Sequence, residues 1–460
     1  MNQKPRIHLI AIGGSIMHSL AINLHLRGYS VTGSDDEIFE PSRSNLLHYG
    51  ILPPEPGWFP EKITQHPDIV ILGMHARKDN PELQEALRMG IPVFSFPEYF
   101  YLQTRNAKRI VIAGSHGKTT TTAMVMHALR MAGISFSYLI GSRVPGFEHQ
   151  VWIEPEADLA VMEGDEYLSS PLDDRPKFLH YHPHIALITG IAWDHMNVFP
   201  RFEDYVNAFA RLIQNIEPGG TLIYCDQDEN LPQLASSLRP ELKKIPYNTL
   251  PYQLVQGKTI IETASRSFET ELFGRHMMQN MNGAMLAARE AGLSSIQFLT
   301  SMQTFRGADK RLQKIYDSKD FTTFLDFAHA PSKVKASVAA VKEYDPRRKL
   351  IACLELHTYS SLNKTFLPWY KGTLDAADFP VVFYSPSAVQ HKKMPDLAPG
   401  EVYDAFQCKP LQVFTETKNL EDYLLSLADK GFTLLLMSSG NWGGMTPDKL
   451  INKIINKLNL

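Results

Sequence analysis

Short apolar runs alternate with amphipathic stretches from end to end of this 460-residue chain. The run Ile7-His8-Leu9-Ile10-Ala11-Ile12, a helix-period stretch from Ser15 to Arg27 and the run Tyr29 to Asp35 predict a βαβ opening, hence a parallel sheet. Further strands are predicted at Asp68–Gly73 and Ile91–Phe94, with a helix between them from Pro81 to Met89, where proline suits a first helical turn. The polar stretch Gln103 to Lys108 reads as a linker. A new strand, Arg109–Ala113, then leads into Gly114-Ser115-His116-Gly117-Lys118-Thr119-Thr120 and a helix from Ala123 to Met131. Strands at Leu159–Met162 and Ile185–Ile188 and a helix from Phe202 to Ile216 continue this second unit, while residues 226–270 carry too little hydrophobicity to place. After Arg311 a third pattern runs through a strand at Phe321–Phe327, a helix from Pro331 to Lys342, and strands at Lys349–Leu354, Val381–Tyr384 and Thr433–Met437. The pattern predicts three α/β domains in series, covering 1–106, 107–312 and 313–460.

Composition narrows the partners. The balance of 46 Lys plus Arg against 49 Asp plus Glu leaves a net charge of −3, so nothing electrostatic argues for nucleic acid or an anionic membrane. No apolar run approaches the roughly 20 residues that span a bilayer, and Gly13-Gly14 interrupts the first run before a signal-peptide core could form. Cys225, Cys353 and Cys408 are too scattered for a disulfide framework or a cysteine zinc site. These features predict a cytoplasmic protein with small-molecule partners.

The candidate chemistry starts at the second unit. A strand, then Gly114-x-x-Gly117-Lys118-Thr119-Thr120, then a helix is the layout of a phosphate cradle: glycines let backbone N–H groups approach phosphate oxygens, Lys118 reaches the terminal phosphates and Thr119 can coordinate Mg²⁺. The strict form of that pattern would place its first glycine at Ile112, so this loop is a shortened variant. Glu163-Gly164-Asp165-Glu166 follows a strand, where hard oxygen ligands suit nucleotide-bound Mg²⁺ and where a solvated acidic loop is the plain alternative. Asp194-His195 follows another strand. His180, His182 and His184 alternate as they would on one face of a strand, which favours a half-exposed strand over a metal site, because such neighbours point in parallel. Gly14, Ser34 and Asp35 fall where a dinucleotide-like ligand meets a βαβ unit.

In order and spacing these segments resemble the Mur ligase family, ATP-dependent amino acid and peptide ligases of peptidoglycan synthesis. The resemblance rests on the phosphate loop, on Glu163-Gly164-Asp165-Glu166-Tyr167, on Asp194-His195, on Gly274-Arg275-His276-Met277-Met278-Gln279-Asn280, on Phe305-x-Gly307-x-x-x-Arg311, and on Asp326-Phe327-Ala328-His329-Ala330-Pro331. It implies an α/β fold of three domains: a Rossmann-like UDP-sugar-binding domain, a central P-loop ATPase domain and a C-terminal Rossmann-like domain for the amino acid or peptide. It implies ATP and Mg²⁺ as cofactors, with Lys118, Glu163, His195 and Arg311 catalytic and Thr119, Glu163 and His195 as metal ligands. It further implies that Gly114, Ser115, His116, Gly117, Thr120, Asn280, Asp326 and His329 bind the nucleotide.

Gly14, Ser34, Asp35, Asn80 and His357 are the implied substrate residues, although Asn80 before Pro81 is also an ordinary helix start and Asn280 could cap a helix. The substrates implied are UDP-N-acetylmuramate and an amino acid or peptide acceptor, and the chain is expected to be a monomer or weak homodimer. Two branches compete, one adding L-alanine and one adding L-alanyl-γ-D-glutamyl-meso-diaminopimelate. Val31-Thr32-Gly33-Ser34-Asp35, Asp174 to Tyr181 and Leu354-Glu355 resemble the tripeptide branch. Phe209 stands where other branches carry a carbamylated lysine. Of the glycines in the family's G-x-x-G-x-x-x-G turn only Gly14 is kept, with Ala11 and His18 at the outer positions. A non-catalytic nucleotide-binding relative is the remaining alternative.

Overall fold

The computed structural model describes residues 4–193, 196 and 198–459. The opening apolar run forms β1 (Arg6–Ile10), and α1 (Ser15–Leu26) returns the chain to β2 (Ser30–Ser34). With β3 (Ile69–Leu72) and β4 (Val93–Ser95) they build a parallel sheet of order β2-β1-β3-β4. Ile10, Val70, Leu72, Leu83 and Ala86 pack beneath it, joining the sheet to α4 (Pro81–Arg88); α2 (Ser42–His48) and α3 (Pro60–Thr64) lie between β2 and β3 in the chain. Asn80 is the N-cap of α4, its side-chain oxygen accepting the Leu83 N–H at 3.1 Å.

Where the pattern predicts a linker from Gln103, the structure instead carries α5 (Phe96–Thr104) up to Thr104. Its aromatic sequence hides the helical period, but Ser95 and Glu98 form a capping box that marks the start.

The second sheet is built on β5 (Lys108–Ala113), whose apolar run after Lys108-Arg109 suits a strand covered on both faces. The order is β13-β12-β11-β5-β8-β6-β7, all parallel except the last pair. The strands are β6 (Ser137–Leu139), β7 (Val151–Trp152), β8 (Leu159–Gly164), β11 (Ile185–Ile188), β12 (Thr221–Cys225) and β13 (Lys243–Tyr247), with a small hairpin of β9 (Leu168–Ser170) and β10 (Asp173–Pro176) after β8. The helix after β5, α6 (Lys118–Met131), starts at Lys118, five residues before the predicted start.

The stretch 226–270 resolves into α8 (Leu231–Ser237), the edge strand β13, and an antiparallel sheet of β14 (Gln253–Val255), β15 (Lys258–Glu262) and β16 (Ser267–Thr270). The last sheet has the order β17-β18-β22-β19-β20-β21 and is parallel except for its edge strand β17 (Gln313–Asp317). Its other strands are β18 (Phe321–Asp326), β19 (Lys349–Glu355), β20 (Phe379–Phe383), β21 (Gln412–Phe414) and β22 (Phe432–Met437). Phe321, Ile351, Cys353, Leu434 and Trp442 belong to its core. The chain divides into two compact units: 1–191 with 202–248 and 283–302, and 192–201 with 249–282 and 303–460. Among the described residues no helix is long and apolar enough to cross a membrane.

Candidate active site

The loop between β5 and α6 lies at the carboxyl end of a central strand, flanked by β11 and β8. Gly114 has φ 130°, and a Cβ there would lie 2.2 Å from the Thr189 hydroxyl oxygen, so only glycine fits. Gly117 takes the left-handed conformation at the N-cap of α6, leaving the first-turn N–H groups of the helix facing the loop. The loop is fixed from outside: Ser115 N–H donates to Gly190 O at 2.9 Å, Thr189 Oγ1 donates to the His116 carbonyl, and the Tyr205 and Ser115 hydroxyl oxygens lie 2.9 Å apart. Thr120 is buried on the first turn.

Lys118 Nζ donates to Gly114 O at 2.6 Å and pairs with Glu166 at 2.8 Å. Burial works against its charge, but the carboxylates of Glu166 and Asp165 hold the ammonium above its ordinary pKa. Glu166 is fully buried and also accepts Tyr205 Oη at 3.0 Å, so Glu166 and Tyr205 belong to the loop's support. Sequence reasoning left both out of the site; Glu166 was visible in the acidic motif, whereas Tyr205 is a long-range contact from α7 (Phe202–Gln214) without a local signal. Phe209, one turn along the same helix, is buried against Phe178 and Tyr205.

Glu163 lies within β8, not after it. One carboxylate oxygen accepts the Thr119 hydroxyl at 2.8 Å and the other accepts Gly141 N–H at 2.7 Å. A hydroxyl and a carboxylate side by side beside a phosphate cradle are hard oxygen donors of the kind Mg²⁺ takes. His195 and Asp194 lie outside the described residues.

At the first sheet, Gly14 is the N-cap of α1. Asp35 accepts Gly13 N–H at 2.8 Å, and a Cβ at Gly13 would lie 2.9 Å from that same carboxylate oxygen. Ala11, at the family's first glycine position, takes φ 65° without being glycine. His18, at the third, is buried; its Nδ1 lies 3.1 Å from Gly14 O and 3.0 Å from Ser42 Oγ, and Nε2 is 3.3 Å from Asn45 Nδ2, which ties α1 to α2. Two of the family's three glycine positions in this turn thus hold Ala11 and His18. Ser34 is fully buried, its hydroxyl accepting from Lys62 Nζ at 2.9 Å, and the Asn80 carbonyl oxygen is engaged as a helix cap.

Burial pushes the Asp35 carboxyl up from 3.8 to about 6, against the Gly13 N–H, which lowers it, and with Asp36, which raises it. The folded protein therefore holds this proton to higher pH than the unfolded chain does, and the stability contribution declines as pH rises from about 4 to about 6. In Asp35→Asn this segment of the pH–melting-temperature curve is expected to flatten, and a curve that keeps the wild-type slope would remove Asp35 as its source.

The second unit holds another set. Asn280 is the sixth residue of α9 (Arg275–Glu290) and buried, which excludes a capping role. The Arg311 guanidinium carbon stacks 4.9 Å from the centroid of the Phe327 ring. Asp326, at the carboxyl end of β18, accepts the Ser337 hydroxyl, and His329 Nδ1 lies 3.0 Å from Phe327 O. His357 follows β19, 3.8 Å from the buried Glu355, which accepts Trp442 N–H at 3.0 Å and the Ser438 hydroxyl; burial lowers the His357 pKa while Glu355 raises it.

The alternating histidines do not share a strand. A 3₁₀ turn (Lys177–His180) opens after Pro176, and His182 has φ 42°. His180 Nε2 lies 3.0 Å from Asp173, the His182 ring 5.0 Å from that of Tyr101, and His184 Nδ1 accepts Arg109 N–H. Glu98, Asp173 and His180 do gather, but Arg175 already reaches both carboxylates, at 2.7 Å from Asp173 and 3.8 Å from Glu98.

Two family models match in order: "Mur ligase family, catalytic domain" over residues 6–105 and "Mur ligase middle domain" over 112–288. The chain is 27% identical to the Escherichia coli UDP-N-acetylmuramate–L-alanyl-γ-D-glutamyl-meso-2,6-diaminoheptandioate ligase, covering 98% of this chain and 99% of that one. It is 30% identical to the Rubrobacter xylanophilus UDP-N-acetylmuramate–L-alanine ligase, covering 78% and 80%. The crystal structure of the UDP-N-acetylmuramate–alanine ligase from Thermotoga maritima matches at TM-score 0.70 and 20% identity over 98% of each chain, so the three-domain α/β architecture is shared. Identity and coverage together with the two matched models establish that the chain belongs to the Mur ligase family, ATP-dependent ligases that form amide bonds in peptidoglycan synthesis.

Proposed function

We propose that this protein joins the lactyl carboxylate of UDP-N-acetylmuramate to the amine of L-alanyl-γ-D-glutamyl-meso-diaminopimelate at the expense of ATP, as a cytoplasmic enzyme of peptidoglycan recycling, acting as a monomer or weak homodimer. The observation that carries the chemistry is one cavity lined both by the Gly14 turn and by Glu163, itself bonded to Thr119 of the phosphate loop. A UDP-sugar seated on that turn would bring its lactyl group toward the phosphate loop. The tripeptide is favoured by the likeness to the E. coli ligase over essentially both chains and by the segment from Asp174 to Tyr181.

Carboxylate activation brings two anions together, so the residues required are cations and fixed donors more than a strong base. Lys118 would exchange Glu166 for the terminal phosphate oxygens of ATP. Thr119, Glu163 and His195 would hold Mg²⁺, which supplies neutralisation of phosphate charge. The lactyl carboxylate attacks the γ-phosphorus, ADP leaves, the acceptor amine attacks the acyl phosphate, and phosphate departs as the amide forms. In this reading Arg311 holds the transferring phosphate, Asn280 the adenine and Asp326 the ribose, with His329 near the phosphates and His357 toward the acceptor.

A second reading, L-alanine as acceptor, is favoured by the R. xylanophilus relative. Phosphate release from ATP with Mg²⁺ and UDP-N-acetylmuramate decides between them. Stimulation by the tripeptide and not by L-alanine is the expected result; the reverse moves the protein to the alanine-adding branch, and silence with both refutes each reading.

A further inference from the structure

A cavity of about 230 Å³ in the first unit is lined by Gly14, His75, Glu163, Asp165, Lys177 and Tyr181, among others. Glu163 and the Gly14 turn already have roles in the proposed reaction; Lys177 and Tyr181 do not. Lys177 opens the 3₁₀ turn after β10, and its ammonium lies 2.6 Å from an Asp165 carboxylate oxygen. Tyr181, four residues on, is fully buried, yet its hydroxyl makes no hydrogen bond among the described residues. Burial pushes this phenol well above its ordinary pKa, so it remains a donor throughout the working range. A buried hydroxyl without a partner is costly unless a ligand supplies one. Tyr181 lines the same cavity as Lys177, whose ammonium is paired with the half-exposed carboxylate of Asp165.

Resting on the reading of UDP-N-acetylmuramate as donor, we propose that Lys177 and Tyr181 form the subsite that holds the donor's lactyl carboxylate for phosphorylation. Both groups donate, and a carboxylate can accept from both while presenting its second oxygen to the γ-phosphate. The diphosphate of the same substrate has its own place at the α1 N-terminus, where Gly14 and the helix dipole favour an anion. Lys177 belongs instead to the acidic side, through Asp165, two residues from Glu163. Asp165 serves as the stand-in counter-ion: Lys177 is charged and oriented before substrate arrives and shares its protons once the carboxylate enters.

The test is calorimetric titration of the full chain with two ligands, UDP-N-acetylmuramate and UDP-N-acetylglucosamine, the second having the same nucleotide and sugar without the lactyl carboxylate. In Lys177→Met, affinity for the first is expected to fall about 10- to 100-fold, with the second unchanged within about twofold. Tyr181→Phe, which keeps the ring packing, is expected to lose about 3- to 10-fold for the first ligand only. Lys177→Arg, which keeps the charge, restores most of the difference. Equal losses for both ligands, or no loss for either, overturn the subsite while leaving the donor assignment standing. A wild-type protein that does not bind UDP-N-acetylmuramate overturns the donor assignment and the subsite with it.

Discussion

Lys118→Ala is expected to lower ATP-dependent phosphate release by roughly 10²- to 10³-fold or more, the scale on which a single preorganised charge acts on a transferring group. The same change also exposes a structural debt. Glu166 is fully buried, and Lys118 is the cation paired with it, beside the hydrogen bond from Tyr205. Removing one member of a buried ion pair costs about 3–5 kcal/mol, so the single variant should melt well below wild type. Loss of activity in that variant alone would then be ambiguous. Lys118→Ala combined with Glu166→Gln removes the uncompensated charge while keeping an acceptor for Tyr205, and it is expected to recover most of the melting temperature and none of the activity. Lys118→Arg should not rescue, because a planar guanidinium cannot occupy the point position that the ammonium holds between Gly114 O and Glu166. Substantial turnover in the thermally recovered double variant would dismiss Lys118 as the phosphate-binding cation.

What the sequence made legible were features whose physics is local. Strand β11 is an unbroken apolar run, β5 becomes one after Lys108-Arg109, β1 is apolar but for Arg6 and His8, and the phosphate loop is a pair of glycines with a lysine and a threonine at the start of a helix. The structure placed Glu163 and Thr119 in contact because β5 and β8 are neighbours, with Ile112 opposite Glu163, a pairing no single segment announces. The same holds for Tyr205 on Ser115 and for Lys177 on Asp165, each joining residues from separate elements.

The misreadings have local causes too. The alternating histidines imitate a strand, but Pro176 fixes the backbone just ahead of them and the 3₁₀ turn follows. Between 226 and 270 the strands are short and their exposed positions polar, so neither period emerges over a long enough window. The N-terminal turn is the most instructive departure. Ala11 and His18 stand at two of the family's three glycine positions; Ala11 takes a left-handed backbone and His18 bonds its neighbours across to α2.

Glu163→Ala is expected to lower ligation by about 10²- to 10³-fold and to raise the Mg²⁺ concentration for half-maximal activity by more than about tenfold. Glu163 has two engagements, the Thr119 hydroxyl at 2.8 Å and Gly141 N–H at 2.7 Å, so it could act as a clamp on the loop as well as a ligand. The two roles separate in Glu163→Gln. A glutamine oxygen can still accept from one of those donors, which preserves most of the clamp, but it carries no charge for a hard divalent cation. If ligation is what the carboxylate serves, Glu163→Gln keeps its melting temperature and its affinity for ADP in the absence of metal, while turnover and Mg²⁺ response fall together. If the clamp were the whole role, Glu163→Gln would ligate nearly as wild type and only Glu163→Ala would fail, with a lowered melting temperature and a Mg²⁺ dependence unchanged in shape. Because Glu163 is fixed from both sides before any ligand binds, its charge needs little reorganisation, and that preorganisation is why a large effect on turnover is expected from a change of one atom.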